Sequence, residues 1–173
     1  MNLSDSDFEI FGLPVQFELD SSALGAAYLR LQSQTHPDRF ANGSAQEKRL
    51  AMQWSTRINE AYQRLKNPLE RAIYWCELQG EHPRGHQHQV SQALLIQHIE
   101  WREQFEEITQ TGALEALIDT VHAEKHRCLN AIANEIDLSC NAKAATATTQ
   151  ALLFIDSFLT ELNKKLELLE DAS

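Results

Sequence analysis

The tripeptide His36-Pro37-Asp38 is the short segment best suited to specific chemistry. An imidazole donates or accepts hydrogen bonds, and a carboxylate accepts a bidentate pair from an arginine. Pro37 stiffens the turn and removes a backbone donor, so it fixes the directions in which His36 and Asp38 project. A rigid, charged tip loses little entropy when it docks, and the tripeptide therefore favours a protein-binding role.

Histidines elsewhere in the chain are candidate metal ligands. His122 and His126 lie one helical turn apart, but His122 is followed by alanine instead of the glutamate that zinc proteases use. A second group lies in a polar segment without fixed geometry: Glu81, His82, His86 and His88. Both groups favour a solvated surface, and we expect no bound metal.

A group of carboxylates marks one helical segment of the second half: Glu100, Glu103, Glu106 and Glu107. Di-iron bundles add a Glu-x-x-His motif on each of two helices, and this sequence has no such motif. It also has neither a glycine-rich phosphate loop nor a nucleophile elbow. We therefore expect no cofactor and no catalysis. A metal-dependent hydrolase or oxidase is the alternative from another class, with His98, His122, His126 and nearby glutamates as ligands.

Charge and composition limit the partners. The chain has 173 residues, 43% of them hydrophobic, which suits one or two small domains, and its formal net charge is −10. Residues 1–75 carry a net charge of −1 and residues 76–173 one of −9. Nucleic acid and anionic lipid both need a basic surface, so we expect neither as a partner.

The apolar runs and the cysteines indicate a cellular setting. No apolar run approaches the roughly 20 residues that cross a bilayer, so we expect no membrane span. The three cysteines have no C-x-x-C spacing: Cys76, Cys128 and Cys140. They indicate neither a disulfide framework nor a structural zinc site, and they favour the cytoplasm.

Apolar residues recur every three or four positions almost throughout, which predicts an all-helical chain. The first long helix ends near Thr35, before Pro37, and the second runs from about Ala45 to Lys66. Each carries an apolar stripe: Leu24, Ala27, Tyr28 and Leu31 on the first, and Leu50, Trp54, Ile58, Ala61, Tyr62 and Leu65 on the second. Antiparallel packing of the stripes places residues 36–39 at an exposed tip. A short helix follows at about residues 69–79.

The second half has the pattern of a three-helix bundle. Residues 79–86 contain two glycines and a proline, which break the helical period. Three longer helical patterns follow, at about residues 90–110, 113–136 and 145–170. The middle pattern has one apolar stripe: Leu114, Leu117, Ile118, Val121, Cys128, Leu129, Ile132 and Ile136. We predict domains at residues 1–79 and 90–173, joined by a linker at residues 80–89.

The first of these domains resembles the J domain of DnaJ-type cochaperones. The tripeptide lies between two amphipathic helices, and the second helix ends in residues 58–68, INEAYQRLKNP. In J domains this tripeptide, at the turn between the helices, engages a DnaK-class ATPase. The resemblance implies a chaperone-binding surface made of the tripeptide and nearby basic residues: His36, Pro37, Asp38, Arg30, Arg39 and Lys48.

Two segments narrow the resemblance to the HscB family: residues 8–20, FEIFGLPVQFELD, and residues 69–74, LERAIY. HscB-like proteins join a J domain to a three-helix C-terminal domain and serve iron–sulfur cluster assembly. The resemblance implies a bacterial-type cochaperone that stimulates the ATPase of an HscA-type chaperone and delivers an IscU-like scaffold to it. The Gly/Phe-rich segment and C-x-x-C repeats of general DnaJ proteins do not occur in the sequence. We expect a monomer.

The basic residues depart from the J-domain pattern. The helix before the tripeptide usually carries several basic residues, and here Arg30 is alone on it. Arg39, Lys48 and Arg49 add positive charge from the tip and the next helix, so we expect weaker electrostatic steering of the chaperone. A J-domain adaptor for a general DnaK chaperone with another client is the alternative.

The first helix of the second half has two apolar faces. At 100° per residue, one face holds Leu94, His98, Trp101, Phe105 and Ile108, and the other holds Leu95, Ile96 and Ile99. A helix in a three-helix bundle buries one face, so the second indicates a partner surface. The HscB resemblance implies a scaffold-binding patch at Leu95, Ile96, Ile99, Glu100, Glu103 and Phe154. The alternative is that the apolar residues belong to the core and that the carboxylates are a solvated face.

Overall fold

Every regular element in the described part of the chain is a helix. The computed structural model describes residues 2–40, 43–85 and 91–171. Its α-helices are α1 Asp7–Phe11, α2 Ser21–Thr35, α3 Ala45–Lys66, α4 Pro68–Leu78, α5 Gln92–Glu107, α6 Thr111–Ala133 and α7 Ala142–Asp171. A 3-10 turn at Pro37–Phe40 precedes α3, and a π-helical turn at Asn134–Leu138 follows α6. The all-helical prediction is confirmed.

The chain forms two compact units, Met1–Trp75 and Cys76–Ser173, with the boundary inside α4. The second unit includes residues 76–85, where the Pro83 carbonyl accepts a hydrogen bond from Gln150 Nε2 at 3.0 Å. Of the predicted linker, residues 86–89 lie outside the described residues, so the linker stays a prediction.

In the first unit, α2 and α3 form a hairpin in which most of the predicted stripe residues are buried or half-buried. Capping side chains set where the helices begin: Asp20 accepts the Ser22 amide at 2.8 Å, and Ser44 forms a capping box with Glu47. The core combines these helices with α1: Phe8, Ile10, Phe11, Leu24, Ala27, Leu31, Ile58, Ala61 and Leu65.

The prediction that Leu50 lies on the inward stripe of α3 is wrong. Leu50 is 47% exposed, and Ala51 is buried in its place. Ala51 continues the three- and four-residue spacing back from Ile58 and Ala61, whereas Leu50 is rotated by one residue, about 100°, away from that line.

A buried carboxylate fixes α1 to the first unit. The Asp7 side chain is fully buried, with Arg57 Nη1 2.6 Å from Oδ1 and Arg64 Nη1 donating to Oδ2 at 2.8 Å. The Asp7 amide donates to the Tyr74 hydroxyl at 2.9 Å. Because a buried charge is tolerated only with compensating partners, these contacts determine how α1 packs against α3 and α4.

In the second unit, α6 and α7 pack along most of their length. The α6 stripe is buried as predicted, except that Leu129 is half-buried. The inward side of α7 consists of Leu152, Ile155, Phe158, Leu159 and Leu162. Over the residues that the structure describes, no helix is both long enough and apolar enough to cross a bilayer.

We expect Asp7→Asn to lower the unfolding free energy of the first unit by about 2 kcal/mol, since it removes the charge that Arg57 and Arg64 neutralise. Urea unfolding followed by circular dichroism measures this. Asp38→Asn is the matched control, because that side chain is 90% exposed and should cost less than about 0.5 kcal/mol. Equal losses in the two variants would contradict a stabilising role for Asp7.

Candidate functional site

The tip of the first unit projects from the end of α2. His36 ends the helix with an extended backbone, φ −57° and ψ 128°, as expected for a residue that precedes proline. The next residues form a single 3-10 turn in which the Arg39 amide donates to the His36 carbonyl at 3.1 Å. The turn brings His36, Asp38 and Arg39 together at one end of the hairpin. The Pro37 side chain lies outside the described part of the structure.

The polar groups of the tip are largely open to solvent. The side chains of His36 and Asp38 are 51% and 90% exposed. His36 Nδ1 accepts the Asp38 amide at 3.3 Å, which leaves Nε2 as the ring nitrogen available to a partner. The Asp38 carboxylate lies 3.5 Å from Nδ1 and retains most of its acceptor capacity.

The basic residues near the tip differ in their contacts. The Arg39 guanidinium donates to the Ser33 carbonyl at 3.1 Å and so satisfies a backbone acceptor at the end of α2. Arg30 on α2 and Lys48 on α3 are exposed. The positive charge available to a partner therefore lies along the two helices, while Arg39 also supports the turn.

The four large apolar side chains predicted for a partner surface on the second unit are exposed in the structure. Leu95, Ile96 and Ile99 of α5 and Phe154 of α7 are between 47% and 58% exposed. Glu100 and Glu103 are exposed on α5 next to these residues in sequence. We call Leu95, Ile96, Ile99 and Phe154 the apolar patch.

The opposite face of α5 packs on α7 through aromatic and charged contacts. Trp101 is buried and stacks on Phe158, with ring centroids 6.2 Å apart and planes within 5°. Arg102 forms a bidentate pair with Glu161 at 2.6 and 2.8 Å. One turn further on, Lys165 Nζ donates to the Phe105 carbonyl at 2.5 Å.

His98 joins the packed face of α5 to the apolar patch. Its ring centroid lies 5.3 Å from that of Phe158 and 6.2 Å from that of the exposed Phe154. Burial, and secondarily the charge of Arg102, lower the pKa of His98, while Glu161 acts in the opposite direction. Helical periodicity places His98 on the inner face, but contact with Phe154 depends on how α5 and α7 pack.

The other candidate ligands stay apart. Among residues 2–40, 43–85 and 91–171, no three histidine, cysteine, aspartate or glutamate side chains converge as a metal site. His122 and His126 are exposed on α6, and His86 and His88 lie outside the described residues. Burial raises the pKa of the Cys76 thiol and raises that of Cys128 to about 11, so both are poor nucleophiles.

Comparison with known proteins decides the family. A family model described as the HSCB C-terminal oligomerisation domain matches residues 90–163. The co-chaperone protein HscB homologue of Burkholderia thailandensis is 41% identical over 174 residues, which cover 98% of this chain and 99% of the relative. The chain belongs to the HscB family. The HscB homologue of Paraburkholderia phytofirmans is 40% identical, with the same coverage.

Solved HscB structures share the fold. The chaperone HscB from Vibrio cholerae has a TM-score of 0.83 and 34% identity, and the alignment covers 95% of this chain and 99% of that one. Human co-chaperone protein HscB has a TM-score of 0.89, with coverage of 95% and 84%, and its 23% identity supports the fold alone. The architecture of a J domain and a C-terminal helical bundle is confirmed. As an HscB-family member the chain is a co-chaperone and not an enzyme, which excludes the metal-dependent hydrolase or oxidase.

The exposure of the apolar patch predicts how much its residues contribute to the unfolding free energy. Single substitutions of Leu95, Ile96 or Ile99 by alanine should each lower the unfolding free energy by about 1 kcal/mol or less, because about half of each residue is already exposed. Leu152→Ala, at a fully buried position of α7, should cost about 3 kcal/mol. Chemical unfolding of the four variants tests this, and a loss at the patch as large as that at Leu152 would place the patch in the core.

Proposed function

We propose that this co-chaperone stimulates ATP hydrolysis by an HscA-type DnaK-class chaperone and delivers an IscU-type iron–sulfur scaffold to it. The observation that supports the proposal is that each unit exposes a group of side chains of different chemistry, polar at the tip and apolar on the second unit. The charged tip of the first unit and the apolar patch of the second suit two partners at once. The cytoplasmic location that the cysteines favour is part of this proposal.

The tip would act on the chaperone through polar contacts. His36 supplies a ring nitrogen and Asp38 a carboxylate, both on a short turn whose backbone is already hydrogen-bonded. A preorganised turn loses little entropy on docking, so more of the contact energy can favour the hydrolysing state of the chaperone. Arg30 and Lys48 would add contacts with an acidic surface.

The apolar patch would hold the scaffold. Its four side chains form the apolar centre of a binding site, and Glu100 and Glu103 provide acidic groups at its edge. The complementary scaffold surface would be apolar with basic groups around it. The net charge of −9 on residues 76–173 would attract such a surface.

The two surfaces would work together because they belong to one chain. A scaffold held by the second unit is presented to the chaperone at a high effective concentration while the tip promotes hydrolysis. Such coupling needs no nucleotide, metal or cluster bound to the co-chaperone itself. A monomer suffices, since each surface is complete within one chain.

The steady-state ATPase rate of an HscA-type chaperone tests the proposal when measured with this protein, with the scaffold and with both. We expect the effect of the pair to exceed the product of the separate effects. Stimulation that is the same with and without scaffold would favour the adaptor of a general DnaK chaperone, for which the lone Arg30 on α2 is the specific indication. Parallel assays with a general DnaK chaperone separate these two candidates.

His36→Gln should abolish the stimulation and leave scaffold binding unchanged, because the change is confined to the exposed tip. The ATPase assay above measures the first effect and calorimetric titration of the scaffold the second. His122→Gln, at an exposed histidine of α6, is the control and should stimulate fully. Stimulation by His36→Gln equal to that of the unmodified protein would contradict the assigned role.

Replacing Leu95, Ile96 and Phe154 together by alanine should weaken scaffold binding by about 3 kcal/mol, or roughly 150-fold in Kd, the scale of an apolar hot spot. Stimulation in the absence of scaffold should persist. The control replaces two exposed leucines elsewhere in the second unit, Leu138 and Leu168, by alanine. Equal scaffold affinity in the two variants would place the binding site elsewhere.

A further inference from the structure

His98 of α5 is partly buried and lies between the bundle core and the exposed Phe154. Its ring is surrounded by three aromatic rings: Trp101 at 6.4 Å, Phe154 at 6.2 Å and Phe158 at 5.3 Å between centroids. Trp101 and Phe158 are buried and stacked on each other, so they form a rigid base for the histidine. Phe154 is 47% exposed and meets the histidine edge-on, with a 70° angle between the rings.

This arrangement makes His98 the link between the two helices that share the patch. Leu95, Ile96 and Ile99 come from α5, whereas Phe154 comes from α7. A half-exposed aromatic side chain that lacks a supporting neighbour samples several rotamers, and docking must then restrict them. The His98 ring is the neighbour that Phe154 meets on the α5 side, at 6.2 Å between centroids.

The surroundings of His98 favour its neutral form. Within the described ranges, no protein group is hydrogen-bonded to its ring nitrogens. The charges that act on it are Arg102 on its own helix and Glu161 on α7, and these two are paired with each other. The Lys125–Asp156 pair joins α6 to α7 on the neighbouring side. Burial and Arg102 lower the pKa of His98, so the ring is uncharged at neutral pH.

We propose that neutral His98 is the positioning residue of the scaffold-docking patch, holding Phe154 in the geometry that the scaffold recognises. The inference rests on the proposed scaffold-binding function. It assigns the orientation of Phe154 to a residue that is not one of the four in the apolar patch. Protonation would add a charge beside Arg102 and favour hydration of the ring, which separates it from Phe154.

The sign of the pH effect follows from linkage. Docking covers the patch and desolvates His98 further, so the bound state disfavours the proton more than the free state does. Scaffold affinity should therefore be fully present above the pKa of His98 in the free protein. It should fall as the pH is lowered through that value, which lies below the usual 6.5.

The test compares full-length variants in calorimetric titrations with a purified, cluster-free IscU-type scaffold. At pH 7.5 we expect His98→Ala to weaken binding about 5- to 10-fold, as expected when one ordered aromatic contact is lost. His98→Phe keeps a ring beside Phe154 and should bind within about twofold of the unmodified protein. His122→Ala is the matched control for removing a histidine and should bind normally.

Titration to pH 5 then separates positioning from simple packing. As the pH is lowered and His98 becomes protonated, the ratio of wild-type affinity to His98→Phe affinity should fall. The midpoint of this protonation is measured from the NMR signal of the His98 Cε1–H. Titration of the scaffold affects both proteins equally and cancels in the ratio. If His98→Ala unfolds the bundle, the comparison with His98→Phe still tests the proposal.

Three results would overturn the inference: equal affinity of His98→Ala and wild type, equal losses in the Ala and Phe variants, or a ratio that stays constant through the midpoint. An unmodified protein that binds no scaffold contradicts the proposed function instead. In that case, the Hα–Hβ couplings of Phe154 in the free protein still test the positioning role, because they report its χ1 rotamers. They should show averaging over rotamers in His98→Ala and a single rotamer in His98→Phe, and a single rotamer in His98→Ala would contradict the role.

Discussion

The stacking of Trp101 on Phe158 determines which face of α5 is exposed. The helix has two apolar faces, and either could in principle pack against the bundle. The buried Trp101 ring, together with the bidentate pair between Arg102 and Glu161, commits one face to α7. The other face then keeps Leu95, Ile96 and Ile99 at the surface. The candidate scaffold site is therefore a consequence of how the bundle core is packed.

A comparable constraint operates in the first unit. The buried Asp7 draws Arg57 and Arg64 of α3 toward α1, which closes one side of the hairpin core. With the helices fixed, the turn at Pro37–Phe40 extends from the end of α2, and the side chains of His36 and Asp38 are exposed. Rigidity in the core thus allows a small polar tip to be both preorganised and accessible.

The candidate surfaces of the two units differ in chemistry. The tip offers directional hydrogen bonds and charge, which suit a change of state in a partner. The apolar patch offers area and shape, which suit holding a partner in place. His98 lies where the bundle core meets this patch, and its ring contacts both the buried Phe158 and the exposed Phe154. A single side chain therefore connects the bundle core to the exposed Phe154.

The sequence by itself determined the all-helical class, the long helices around residues 36–38 and the two-faced character of α5. These features depend on local spacing, capping residues and proline, which act within a few positions along the chain. Only the tertiary structure decided that Asp7 is buried between two arginines and that His98 touches Phe154. Each of these depends on residues far apart in sequence, and a helical period carries no information about which neighbouring helix a given side chain meets.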